Sequence, residues 1–165
     1  MLKTLFKKVV VAYNGSVSSL NAVMYGIMMA KIYRCQVRVV YVVDTDSIER
    51  LVLKKFLVNN EGRNFTSELE SSADKDLDYV VKLAKSKGVK LETEVRHGAV
   101  WSEIIKVSGE CNADLILLGD SSRSEGSSVL SRGRLGMQDS EIIGSSHCSV
   151  MVVRQPHIEQ MFKLI

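Results

Sequence analysis

After Lys8 the chain runs Val9-Val10-Val11-Ala12 and then turns polar at Asn14-Gly15-Ser16. A β-branched run closed by turn formers predicts a buried strand. Leu20, Val23, Met24, Ile27 and Met28 follow at three- and four-residue spacing, which predicts a helix with one apolar stripe ending near Arg34. The segment from Val37 to Val43 is apolar almost throughout, as a strand covered on both faces requires. From Asp44 to Asn64 the pattern is least readable. An amphipathic fragment (Ile48, Leu51, Val52, Phe56) ends in the turn-like Asn59-Asn60-Glu61-Gly62, compatible with a lid, a short helix or a loop. Ser67-Glu68-Leu69-Glu70 then matches a capping box, and Leu69, Ala73, Leu77, Val80 and Ala84 carry a helix to Gly88.

Leu91 to Val95 alternates as a third strand, and Trp101, Ile104, Ile105 and Cys111 mark another helix. Leu115-Ile116-Leu117-Leu118 forms a fourth strand closed by Gly119. A polar stretch, Asp120 to Gly136, separates it from a short helix around Ser140 to Ser145 and a last strand, Ser149 to Val153. This βαβαβαβαβ order predicts an α/β fold, a doubly wound, Rossmann-like, five-stranded parallel sheet with helices on both faces. Right-handed crossovers leave the order 3-2-1-4-5. Residues 1–156 are expected to form one domain and 157–165 a tail, whose Ile158, Met161, Phe162, Leu164 and Ile165 are apolar enough to dock.

Composition narrows the class. With 165 residues, 45% apolar and 25% charged, the chain fits one globular domain with a real core. A net charge of +3 is too small for a nucleic-acid footprint. Cys35, Cys111 and Cys148 are widely spaced and form no disulfide framework or metal pair. No window is apolar over the roughly 18 residues a membrane span requires. The expectation is a cytoplasmic protein without a membrane or nucleic-acid partner.

Ligands of a doubly wound sheet sit beyond the carboxyl ends of its strands. That directs attention to Tyr13 to Ser16, Val42 to Asp46, His97 to Ala99 and Gly119 to Gly136. The last is rich in Gly and Ser and carries Arg123, Arg132 and Arg134, a composition suited to an anion, although Gly/Ser loops are as often plain connections. His97, His147 and His157 lie in no triad or metal spacing. No catalytic or metal-ligating residue is assigned.

Val9 to Ser16, Tyr41-Val42-Val43-Asp44, His97-Gly98-Ala99, Asn112 to Gly119 and His147 to Val153 resemble, in order and spacing, the universal stress protein family. The resemblance implies a non-catalytic, stress-response regulatory module and, in many members, a homodimer formed through the last strand, here Ser149 to Val153, facing an unknown protein partner. One branch of the family binds ATP or AMP through a loop of the form Gly, two residues, Gly, nine residues, Gly, then Ser or Thr. Here Gly126 and Gly136 keep the nine-residue interval, but six residues separate Gly119 from Gly126, and Met137 stands where the hydroxyl is expected.

By this resemblance the nucleotide-binding residues are Ala12, Tyr13, Asn14, Ser16, Val42, Gly119, Gly126, Gly136, Met137, Gln138 and Asp139. A thioether donates no hydrogen bond, so a weakened grip on phosphate is expected. Two alternatives stay open: a nucleotide-free interaction domain with a degraded site, and a slow ATP hydrolase.

Overall fold

Five parallel strands form a single sheet in the order β3-β2-β1-β4-β5. The structure is a computed structural model that describes residues 4–55, 59–123 and 135–165. Strands β1 (Lys8–Tyr13), β2 (Gln36–Val43), β3 (Leu91–His97), β4 (Leu115–Gly119) and β5 (Ser149–Val153) match the expected runs to within two residues at each end. Between and after them lie α1 (Val17–Tyr33), α2 (Thr45–Leu53), α3 (Asn59–Ser86), α4 (Val100–Glu110), α5 (Met137–Ser145) and α6 (Ile158–Leu164). Central β1 pairs with β2 from Lys8↔Gln36 to Tyr13↔Tyr41 and with β4 from Val9↔Leu115 to Val11↔Leu117.

The two-residue period of a strand divides the core in two. Val9, Val11, Val37, Val39, Leu115 and Leu117 face α1, α3 and α6, whereas Val10, Val40, Val42, Ile116 and Leu118 face α4 and α5 with Ile104, Val107 and Ile142. Most of these side chains are fully buried, worth roughly 1.5–3 kcal/mol each. That double covering explains why the strands read as unbroken apolar runs. The tail is docked: α6 packs beside α1, with Ile158 and Phe162 buried in the same cluster as Val153.

One local expectation is corrected. Asn59 to Gly62 lies inside α3, so the capping-box residues at Ser67 fall within that helix and do not begin it. Turn formers are weak signals against tertiary packing. Gly62 is buried where α3 crosses α2, and a Cβ there would stand 3.0 Å from Val52 Cγ2. The glycine that looked like a turn marker lets two helices approach. Among the described residues, no helix is long and apolar enough to cross a membrane.

Candidate functional site

A cavity of about 290 Å³ opens at the carboxyl ends of β1, β2 and β4, on the α4/α5 side of the sheet. This is the switch point, because β1 has β2 on one flank and β4 on the other. Its apolar lining is Val40, Val42, Val100, Ile104, Leu118 and Ile142. Polar groups come from the β1–α1 turn (Asn14, Ser16) and the first turn of α1 (Ser18, Ser19), from Ser121 after β4, and from Gln138 and Asp139 in the first turn of α5.

The β1–α1 turn is locked by its own side chains. Ser16 is the N-cap of α1 and its Oγ accepts from the Ser19 N–H at 3.2 Å. The Asn14 Oδ1 accepts from the Ser16 N–H at 3.1 Å and from the Ser19 hydroxyl at 2.8 Å. The side-chain oxygen of Asn14, one of the expected nucleotide-binding residues, is thus already engaged inside the turn. Tyr13 borders the cavity, but its ring belongs to the opposite core, edge-on to Tyr41 at 6.0 Å between centroids. Burial first, and then the charge of Asp76 and the ionisable hydroxyls of Tyr41 and Tyr79, push the Tyr13 hydroxyl pKa up to about 12.

The α5 wall is built differently. Gly136 is the N-cap of α5 and supplies no side-chain acceptor. The Ser121 hydroxyl donates to Asp139 Oδ2 at 2.6 Å, joining the 3-10 turn at 121–123 to the first turn of α5. Burial raises the Asp139 pKa, the Ser121 hydrogen bond opposes that rise, and the neighbouring Asp120 adds to it. The Gln138 side-chain oxygen accepts from the Trp101 N–H at 3.2 Å, so this residue caps α4 as well as lining the cavity. Met137 is 83% exposed at the rim.

Ten of the eleven expected site residues line this one cavity: Ala12, Tyr13, Asn14, Ser16, Val42, Gly119, Gly136, Met137, Gln138 and Asp139. The eleventh, Gly126, lies outside the described residues, as do Gly133, Ser127, Ser128, Ser131, Arg132 and Arg134. Sequence reasoning passed over Ser18, Ser19, Val40, Val100, Ile104, Leu118 and Ile142. Alternation along β2 and β4 was the signal that could have found Val40 and Leu118, since both share the Val42 face.

Together, the 3-2-1-4-5 parallel sheet and a cavity at its switch point define a doubly wound, Rossmann-like α/β protein. The chain belongs to the universal stress protein family, whose model matches residues 5–154. It is 31% identical over 157 residues to Universal stress protein MJ0531 of Methanocaldococcus jannaschii, covering 95% of this chain and 87% of that protein. Among solved structures it is similar to the universal stress protein UspA from Lactobacillus plantarum, with a TM-score of 0.73, 16% identity and coverage of 90% of this chain and 98% of that one. It is also similar to a universal stress protein family protein from Arabidopsis thaliana with AMP bound, with a TM-score of 0.61, 18% identity and coverage of 93% and 94%.

Proposed function

We propose that this protein is a stress-response regulatory module that binds an adenine nucleotide, AMP or ATP, in the switch-point cavity and has no dedicated catalytic step. The observation that carries this reading is the pairing of an apolar floor (Val40, Val42, Leu118, Ile142) with a polar rim drawn from two loops and a helix N-terminus. A flat, weakly polar base suits such a floor, and hydroxyls and phosphate suit such a rim. Its volume is at the low end for small-molecule sites, enough for a base and a sugar. The Arabidopsis protein solved with AMP supports the same ligand class.

In this reading Ala12 and Val42 contact the base and sugar. The backbone amides of Met137, Gln138 and Asp139 face the phosphate, with Gly136 allowing close approach. Nucleotide occupancy alters the surface that a protein partner meets, and two copies pair through β5. Mass spectrometry of the purified, denatured protein, followed by calorimetry with AMP and ATP, tests the proposal. Co-purified adenine nucleotide or measurable heat supports it. Neither signal with either nucleotide would leave the empty interaction domain, and steady release of phosphate from ATP would leave the hydrolase.

A further inference from the structure

Asp139 stands where a phosphate-binding wall would be least well served by a carboxylate. It lines the cavity in the first turn of α5, half-buried, and Ser121 fixes one of its oxygens with the 2.6 Å hydrogen bond. The pair brackets Gly136: a Cβ on that glycine would lie 3.0 Å from Ser121 Oγ and 3.7 Å from Asp139 Oδ2. The carboxylate therefore sits against the backbone that opens α5, the position an incoming anion would seek.

Buried Asp120 is the next acidic group, and its own cation is Arg154, with Nε 3.7 Å from Asp120 Oδ2. Among the described residues Asp139 has Ser121 as its hydrogen-bond partner and is in no ion pair. Its raised pKa reflects the same surroundings, burial first and the charge of Asp120 adding to it. A phosphate brought to this wall meets a like charge in a partly desolvated setting. A ribose hydroxyl meets an acceptor.

We infer that Asp139 is a specificity-determining residue of the cavity, working against the outer phosphates so that adenine ligands carrying fewer phosphates are favoured. The inference rests on the nucleotide reading above and deepens it, since it names the chemical feature by which the site chooses among adenine ligands. The resident carboxylate already answers the helix N-terminus, so outer phosphates add repulsion where an unoccupied N-terminus would attract them.

Calorimetry on the full chain with adenosine and ATP in magnesium-free buffer tests it, on wild type, Asp139→Asn and the charge-retaining Asp139→Glu. Asp139→Asn should raise ATP affinity relative to adenosine by about tenfold or more, the scale of relieving one like-charge contact near a protein surface. Asp139→Glu should keep the wild-type ratio. Should Asp139→Asn fail to fold, Asp139→Ser gives the same readout. An unchanged ratio in the neutral variant, with ATP still bound by wild type, overturns this inference and leaves the nucleotide reading standing. Absence of binding by either ligand to every protein overturns both.

Discussion

Gly119, at the end of β4, lies so close to the backbone of Ser18 in the first turn of α1 that a Cβ would collide with the Ser18 carbonyl group. The contact joins the two halves of the switch point, and neither backbone is a flexible side-chain tip that could swing away. Gly119→Ala must shift α1 or β4, and the expected loss of stability is about 2–3 kcal/mol, the upper part of the range for overpacking. Urea denaturation of the variant checks this, and a midpoint equal to wild type would mean the contact is looser than described. Ligand affinity should fall with stability, because both walls of the cavity move.

Much of the fold could be read from short apolar runs because β1, β2 and β4 are covered on both faces and so needed apolar residues at consecutive positions. Helix α3 was only half legible. Its Asn59 to Gly62 start carries turn formers, and their helical state depends on α2 packing over Gly62, a tertiary contact that no local window contains. The cavity was legible through its loops and illegible through its floor. Val100, Ile104 and Ile142 look like any helix stripe until the sheet is laid beneath them. Ser19 reads as a helix residue, yet its side chain holds Asn14 and so removes that residue's oxygen from use.

Asp114 anchors the amino-terminal entry to β1, where its Oδ2 accepts from the Lys7 and Lys8 N–H groups at 2.8 and 2.9 Å. Those two backbone hydrogen bonds, Lys8's the larger influence, hold its carboxyl below the usual range. A depressed folded pKa gives stability that is present above the unfolded value and is lost as pH falls through the folded one. Asp114→Asn should therefore cost about 1 kcal/mol or less at neutral pH, discounted for solvent exposure, and should flatten the decline in stability below about pH 4. Thermal melts of both proteins across the acid range check the sign, and parallel curves would refute the assignment.

Tyr13 sets a limit at the alkaline end. With its hydroxyl pushed up to about 12 by burial and then by Asp76, its stabilising influence is present below the unfolded value and is lost as pH rises through the folded one. Ultraviolet titration should show Tyr13 absent from the tyrosines that ionise near pH 10, and stability should fall between about pH 10 and 12. Tyr13→Phe should remove that part of the fall. A full complement of tyrosines ionising near pH 10 in the folded protein would contradict the buried placement.

Strand β5 ends the sheet beside β4, and Val150, Met151 and Val152 are only partly covered. An apolar edge strand invites pairing with a second copy, and a closed two-fold contact is the usual arrangement. Helix α6 packs beside α1. Sedimentation at micromolar concentration should give a dimer for wild type and a monomer for Val150→Lys, whose charge would enter the contact. A monomeric wild type would exclude β5 pairing at that concentration.

Met137 opens α5 at the rim of the cavity, and its thioether has no proton to give a phosphate oxygen. A hydroxyl at the same position would lie next to the backbone amides that begin the helix, and a hydrogen bond to a charged group contributes about 1.5–3 kcal/mol before losses to solvent exposure. Because Met137 is 83% exposed, the net gain should fall at or below the low end of that range, roughly a tenfold tightening at most. The gain should depend on the number of phosphates. Met137→Ser should therefore tighten ATP more than AMP and leave adenosine unchanged, a pattern opposite in origin to that of Asp139→Asn, which removes a repulsion where Met137→Ser adds a donor. Because both positions lie in the first turn of α5 and act on the same phosphates, the two substitutions should couple rather than add on ATP affinity. Calorimetry on wild type, both single variants and the double variant decides this. Tightening of adenosine by Met137→Ser would mean that position 137 contacts the sugar, placing the phosphate elsewhere along the wall.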